Sequence, residues 1–168
     1  MDAAPGTFEL AQVNVMRLKA PLDSAALQPF VAALAPVNAL ADQAPGFVWR
    51  LQTPEGDATA LRIFGDDTLL VNMSTWTSLQ ALADYTYRSA HVEIMRRRRE
   101  FALPIADAAV ALWWVPAGHR PTVGEAEERL RVLRAQGPTP FAFGMRSPFP
   151  PPSSDVTPAV RDDDTCRA

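Results

Sequence analysis

The chain has 168 residues, of which 48% are hydrophobic and 21% charged, as expected for one soluble globular domain. A net charge of −3 at pH 7 gives no global basic field, so neither nucleic acid nor a membrane is expected as a partner. The single cysteine excludes an intrachain disulfide and a cysteine-built zinc site. No signal peptide or membrane-spanning run stands out, which predicts a cytoplasmic protein.

Hydrophobic periodicity predicts the elements in chain order. Residues 8–19 alternate as a strand, and residues 22–44 form a capped helix that ends at a Pro-Gly pair. Three strand-like segments follow, at 47–53, 58–64 and 68–76, separated by turn residues. A second helix is predicted over 79–102, a last core strand over 108–116 and a polar third helix over 122–137.

This order predicts an α+β fold, a ferredoxin-like antiparallel sheet with two helices on one face. The domain should span residues 1–146, and the Pro-, Ser- and Asp-rich tail, 147–168, should be disordered or lie over a neighbour. The strands are apolar on both sides, and a bare apolar sheet face usually becomes an interface. We therefore expect a homodimer packed sheet to sheet.

Two asparagines and a tryptophan are the first candidate site residues. Asn72 and Trp76 are an even number of residues apart on a strand, so both side chains emerge on one face. Asn14 lies on the polar-bearing face of the first strand. A buried carboxamide offers an acceptor and two donors, which suits a phenol, enol or quinone oxygen. The alternative is that both asparagines satisfy backbone groups and Trp76 is core.

His91 lies on the second predicted helix, where a helical wheel places it with Met95 and Arg98 along one edge of the apolar sector. Its imidazole could be a general base or a haem ligand, or it could be a partly buried packing residue. Arg98 could bind a substrate carboxylate or enolate. The other histidine, His119, is expected to be an exposed loop residue.

Aromatic residues are concentrated where a pocket would form. We expect Trp49, Tyr87 and Trp113 to contact the substrate together with Met95 and Arg98. Trp113 and Trp114 are adjacent on a strand and must face opposite ways, so one can line the pocket while the other lies on the dimer face.

The segments "LAQVNV", "PGFVWRLQ", "LLVNMSTWTSLQALADYTYRSAHVEIMRRRREF" and "ALWWVPAGHRPTVGEA" resemble a bacterial family catalogued as a domain of unknown function, number 3291. This family is placed in the dimeric α/β-barrel superfamily. The resemblance covers roughly residues 8–146 and implies a dimeric barrel with a small-molecule pocket in each subunit.

Asn14, Asn72 and Trp76 also match site residues of the antibiotic-biosynthesis monooxygenases of that superfamily. This resemblance implies cofactor-free oxidation of an aromatic or polyketide-type metabolite by dioxygen. A haem-binding branch of the superfamily holds iron with a histidine on the second helix, so haem ligation by His91 is the alternative. A non-catalytic ligand-binding dimer module is the third possibility.

Overall fold

The computed structural model describes residues 8–89 and 91–153. This part of the chain contains five strands and four α-helices. Their bounds are Phe8–Leu18 (β1), Gln28–Asp42 (α1), Phe47–Arg50 (β2), Leu69–Trp76 (β3), Leu79–Arg88 (α2), His91–Phe101 (α3), Ala102–Leu103 (β4), Val110–Pro116 (β5) and Val123–Gln136 (α4). Within the described ranges, no helix is both long and apolar enough to cross a bilayer.

One antiparallel sheet contains all five strands, and β1 is its centre. β1 pairs with β3 on one side and with β5 and the short β4 on the other, while β2 pairs with the outer edge of β3. The long strands therefore lie in the order β2-β3-β1-β5. With α1 between β1 and β2, and α2 and α3 between β3 and β5, this is the ferredoxin-like arrangement. The predicted α+β fold class is confirmed.

The even-numbered residues of β1 and β3 form what we call the helix face, because they pack against α1, α2 and α3. At one end of this face Leu10 and Trp76 contact Leu82 of α2. At the other end Leu18 packs with Phe30 of α1 and Phe101 of α3. The predicted pair of helices on one face is thus present, and it leaves the middle of the helix face between two apolar clusters.

The odd-numbered residues form the far face, which was expected to be bare. That expectation is wrong, because the chain covers this face itself with α4 and with the segment between β2 and β3. Val13, Met73 and Trp113 are fully buried there, packed against residues of these two covering elements: Ile63, Ala126, Leu130 and Leu133. A dimer packed sheet to sheet would need an exposed far face, and this face is already covered. The homodimer itself stays a prediction.

Residues 58–64 do not form the predicted strand. They lie in turns, with one isolated bridge between Ile63 and Asp66. The side chain of Asp57 accepts hydrogen bonds from the backbone N–H and the hydroxyl of Thr59. Such local bonds offer the backbone an alternative to strand pairing, which explains the difference.

The second predicted helix is broken into α2 and α3. Ser89 has extended backbone angles, its hydroxyl donates to the Tyr85 carbonyl, and the backbone N–H of His91 donates to the same hydroxyl. The break changes the helical phase, so a wheel drawn through both halves misplaces its residues. Tyr87, which was predicted to contact the substrate, is 58% exposed.

The predicted boundary at residue 146 does not end the packed structure. Residues 147–153 contain no helix or strand, but Phe149 packs on Phe143 with 5.8 Å between ring centroids. The indole N–H of Trp114 donates to the Phe149 carbonyl at 2.8 Å. The rest of the predicted tail, 154–168, lies outside the described residues.

Candidate active site

Asn14 and Asn72 face each other directly across β1 and β3, in the middle of the helix face. Asn72 is exposed and Asn14 is half-buried. Cβ atoms of directly opposed residues are about 5 Å apart, so one small molecule can contact both carboxamides. Neither side chain hydrogen-bonds to another described residue. The pair is therefore a polar surface between two apolar clusters, with both carboxamides free to bind a ligand.

The next cross-strand pair along the same face is joined by a side-chain hydrogen bond. Gln12 lies opposite Ser74 in the register, and the Ser74 hydroxyl donates to Gln12 Oε1 at 2.9 Å. The indole N–H of Trp76 donates to Ser74 Oγ at 2.8 Å. All three side chains are buried. This network fixes the Trp76 ring on the same face as the carboxamide pair, with the Gln12–Ser74 pair between them.

Trp76 is only 1% exposed, so in this structure it is largely a core residue. Its ring stacks on Tyr85 at 5.0 Å and meets the edge of Phe47 at 5.5 Å. The sequence prediction that Asn72 and Trp76 share one face holds in the structure. Trp76 can give the site a rigid apolar side, but its N–H is already engaged.

His91 lies beyond Tyr85, with 4.9 Å between the two ring centroids. Burial is the main influence and lowers the pKa of His91, while a backbone hydrogen bond with Thr86 acts in the opposite direction. Its Nδ1 is buried without a partner among the described residues. At neutral pH the imidazole is therefore neutral and can accept a proton, although Trp76 and Tyr85 stand between it and the asparagines.

Tyr85 is a further polar aromatic group in this stack. Burial is the main cause that raises the pKa of its hydroxyl to about 12, and the negative charge of Asp42 adds to the effect. The phenol is thus protonated under all ordinary conditions. It acts here as an apolar stacking surface between Trp76 and His91.

Two tryptophans predicted to contact substrate are on the wrong side of the sheet. Trp49 pairs with Thr75 and Trp113 pairs with Ala11, which places both on the far face. The Trp113 N–H donates to Glu125 of α4 at 2.9 Å. Neither residue can line a cavity with Asn72, and those two assignments are wrong. Trp114 is the tryptophan of β5 that lies on the helix face.

Tyr87, Met95 and Arg98 do come together, in a groove of about 440 Å³ between α2 and α3. We call it the arginine groove, because Arg96, Arg98 and Arg99 all line it. Arg96 pairs with Glu93 at 2.9 Å. Arg98 and Arg99 have no acidic partner among the described residues. The groove is therefore suited to an anionic ligand.

A second groove, of about 490 Å³, lies between the end of α1 and α2, and Tyr85 forms one of its walls. Gly46 lies on its floor with a φ of +81°. Neither groove includes the two asparagines or His91 among its lining residues. Of the predicted site residues, Asn14 and Asn72 thus form the carboxamide pair, whereas Tyr87, Met95 and Arg98 lie in the arginine groove.

A haem would need open space in front of a histidine nitrogen, and His91 instead packs its ring on Tyr85 and lines neither groove. The arrangement of these residues does not fit a porphyrin. In residues 8–89 and 91–153, no group of three or more His, Cys, Asp or Glu side chains is placed to hold a metal ion.

One protein family matches most of the chain. The family described as "Domain of unknown function (DUF3291)" matches residues 9–159. The chain belongs to this family. No curated protein matches it.

Several solved structures are similar to this DUF3291 member. SnoaB, a cofactor-independent oxygenase from Streptomyces nogalater, is 19% identical with a TM-score of 0.44, covering 67% of this chain and 95% of that one. NE2512 from Nitrosomonas europaea, of unknown function, is 14% identical with a TM-score of 0.44, covering 70% and 98%. The ActVA-Orf6 monooxygenase of Streptomyces coelicolor, solved with nanaomycin D, is 20% identical with a TM-score of 0.41, covering 71% and 96%.

Sequence reasoning did not single out Gln12, whose amide oxygen accepts a hydrogen bond from Ser74 next to the carboxamide pair. The alternation of β1 already placed it on the same face as Asn14, two residues away. What the sequence could not supply was the register, which sets Gln12 opposite Ser74. A glutamine among apolar neighbours on a central strand is the signal that could have identified it.

Proposed function

We propose that this protein oxidises an electron-rich aromatic or polyketide-type metabolite with dioxygen, in a monooxygenase-like reaction that needs no cofactor. The observation that carries the proposal is the carboxamide pair, Asn14 and Asn72, directly opposed on the helix face and without a hydrogen bond to another described residue. The resemblance of these two residues and Trp76 to site residues of the antibiotic-biosynthesis monooxygenases supports the same function.

The role of the carboxamides follows from their hydrogen-bonding capacity. Each offers two N–H donors, and donors fixed on neighbouring strands can bind one substrate oxygen from two sides. When a phenolic or anthrone-type substrate loses a proton, negative charge develops on that oxygen. Preorganised donors aimed at a developing oxyanion lower the barrier more than they stabilise the neutral substrate.

The reaction itself balances with dioxygen as the only co-reactant. A ring methylene gives up a proton, and the resulting carbanion passes one electron to dioxygen. The substrate radical and superoxide combine at the same carbon, forming a peroxide that takes up a proton. Loss of the second methylene proton then breaks the O–O bond, so that the products are a ring carbonyl and one water.

His91 is the proposed proton acceptor. Its pKa is lowered mainly by burial, so the imidazole is neutral at neutral pH. Because Trp76 and Tyr85 lie between His91 and the carboxamide pair, the substrate must extend along this aromatic stack to reach both.

The test is oxygen uptake with a dihydroxyanthrone, corrected for uptake without protein. Asn72→Ala should lower the rate about 100-fold, the loss typical for one oxyanion donor. Asn38→Ala, at a half-buried asparagine of α1, is the matched control and should leave the rate unchanged. Equal rates for native protein and Asn72→Ala would remove the proposed role. Binding of the anthrone without any catalysed uptake would favour a ligand-binding module.

We also propose a homodimer, formed through the outer side of α1 because the far face is covered. The exposed residues between the two ends of this helix are all apolar: Val31, Ala32, Ala35, Pro36, Ala39 and Leu40. A large exposed apolar patch usually marks an interface. Light scattering should give a dimer mass for the native chain and a monomer mass for Val31→Glu/Leu40→Glu. A native monomer would contradict the proposal.

A further inference from the structure

The longest runs of like charge in the chain are opposite in sign. Four consecutive arginines occupy residues 96–99 of α3, and three consecutive aspartates occupy residues 162–164. Nowhere else in the sequence do three residues of one charge follow each other. Opposite charges arranged in this way attract each other and favour one contact over others.

Only part of the arginine run is neutralised within the described residues. Arg96 and Arg97 pair with glutamates of α3 itself, at 2.9 and 3.1 Å. Arg98 and Arg99 have no acidic partner among the described residues, although most other described arginines form an ion pair. Both line the arginine groove. Within the described part of the chain, the groove therefore carries two positive charges that no carboxylate offsets.

The arginine groove also has an apolar component. Val92 and Met95, which are both half-buried, line it together with the exposed side chain of Tyr87. A small inorganic anion would contact the guanidinium groups and leave this apolar surface uncovered. A peptide segment that carries both carboxylates and small apolar side chains suits the whole lining better.

The acidic segment, residues 154–168, has this composition and lies outside the described residues. It contains four aspartates against two arginines, and Val160 precedes the aspartate run by two residues. Its negative charge and its apolar side chains match the two components of the groove. The acidic segment is therefore a suitable occupant that the chain itself supplies.

The described part of the chain leads the acidic segment towards the groove. Phe149 belongs to the same apolar cluster as Tyr85 of α2, and Tyr87 of α2 lines the groove. The aspartate run begins 13 residues after Phe149, and an extended chain of that length spans up to about 40 Å. The ten residues of α2 are only about 15 Å long. The run can therefore reach the groove of its own chain.

We propose that the arginine groove binds the acidic segment of the same chain, with the aspartates of 162–164 against Arg98 and Arg99. Exposed ion pairs are individually weak, but the short covalent connection gives the segment a high effective concentration at the groove. The contact is therefore reversible and weakened by salt. An anionic ligand that enters the groove must displace the segment. This inference is independent of the proposed function.

The experiment uses Cys166, the single cysteine, which lies two residues after the aspartate run. A nitroxide attached to its thiol broadens the NMR signals of nearby nuclei. In the ¹⁵N spectrum of the full chain, the amide signals of Val92 and Met95 should lose most of their intensity and regain it when the nitroxide is reduced. Amide signals of α4, on the far face, should keep their intensity.

Charge variants test whether the aspartates cause this contact. Replacing the three aspartates of 162–164 by asparagine keeps the side-chain shape, removes the charge and should restore the groove signals. Arg98→Gln/Arg99→Gln should reduce the broadening in the same way. Arg131→Gln, at an exposed arginine of α4, is the matched control and should leave the broadening unchanged. If the groove variant does not fold, the asparagine variant still gives the test.

The outcomes separate the proposal from its alternatives. Broadening spread evenly over the surface, or broadening that persists in the asparagine variant, overturns the proposal. A mixture of nitroxide-labelled chain at natural isotope abundance with a ¹⁵N-labelled Cys166→Ser chain detects contacts between copies. Groove broadening in that mixture would mean that the segment of a second copy occupies the groove, which overturns the contact within one chain. Broadening confined to the groove and absent from the mixture supports the proposal.

Discussion

Asn14 and Asn72 occupy one cross-strand pair of the sheet, and each presents its carboxamide without a partner among the described residues. A central pair in a sheet face this size is ordinarily apolar. Two hydrogen-bonding groups placed side by side at such a position suit recognition of a ligand oxygen better than they suit packing.

The pair should behave as a unit. Asn14→Ala and Asn72→Ala are each expected to lower kcat/KM for a dihydroxyanthrone about a hundredfold, and the double variant by less than the product of the two losses. Both groups would bind the same oxygen, so removing the second adds little. Unfolding by urea should change little for Asn72→Ala because the side chain is exposed. Fully multiplicative losses would mean that the two residues act independently.

Activity should depend on pH through His91. Burial lowers the pKa of this imidazole, so the basic form persists to lower pH than usual, and kcat/KM should fall only as pH drops through that lowered pKa. His91→Gln should lose most of the rate and this pH dependence. His119→Gln, in the exposed loop, is the matched control. A pH profile that is unchanged in His91→Gln would exclude His91 as the base.

The lowered pKa of His91 also predicts how the stability of the protein depends on pH. The unfolded chain protonates His91 near the reference pKa of about 6.5, while the folded chain does so only at lower pH. Between these two pKa values, unfolding takes up a proton at His91. The contribution of His91 to the free energy of unfolding is therefore intact above about pH 6.5 and is lost as pH falls. Urea titrations at several pH values should show a smaller acid destabilisation in His91→Gln than in the native protein.

Gly46 is held in a conformation and a space that suit only glycine. A Cβ there would lie 2.5 Å from Ala81 Cβ and 2.6 Å from Thr77 Oγ1, and φ is +81°. Gly46→Ala should lower the free energy of unfolding by about 3 kcal/mol, combining overpacking with backbone strain. Gly56→Ala is the control, since φ is +93° but no atom lies within 4 Å of the new Cβ. Its loss should be about 1 kcal/mol. Equal losses would remove the packing argument.

The arginine groove should discriminate between substrates by charge. Arg98→Ala is expected to raise KM for a carboxylated anthrone roughly fivefold and to leave KM for a neutral one unchanged, as for a partly solvated charge contact. Arg131→Ala, at an exposed arginine of α4, is the control. If Arg98→Ala changes KM equally for both substrates, Arg98 does not bind the carboxylate.

The long alternating strands were predictable, and so was the shared face of Asn72 and Trp76, because strand parity needs no tertiary information. For Trp113 and Trp114 the sequence predicted only that the two side chains lie on opposite faces of the sheet. The register, with Trp113 beside Ala11 and Trp114 beside Leu10, decides which of them faces the helices. The break at Ser89 depends on one side-chain hydrogen-bond pair that helical periodicity does not reveal. The packing of α4 on the far face could not be predicted, because the apolar side of a helix does not identify the surface against which the helix packs.

The two fully buried tryptophans lie on opposite faces of the sheet, and each has its N–H bonded to a different group. Trp76 donates to Ser74 beside the carboxamides, while Trp113 donates to Glu125 of α4. In a ¹⁵N spectrum their indole resonances are therefore separate reporters of the two layers. A ligand that engages the carboxamides should shift the Trp76 resonance and leave that of Trp113 in place, so a single titration would locate the binding face before any substrate is known.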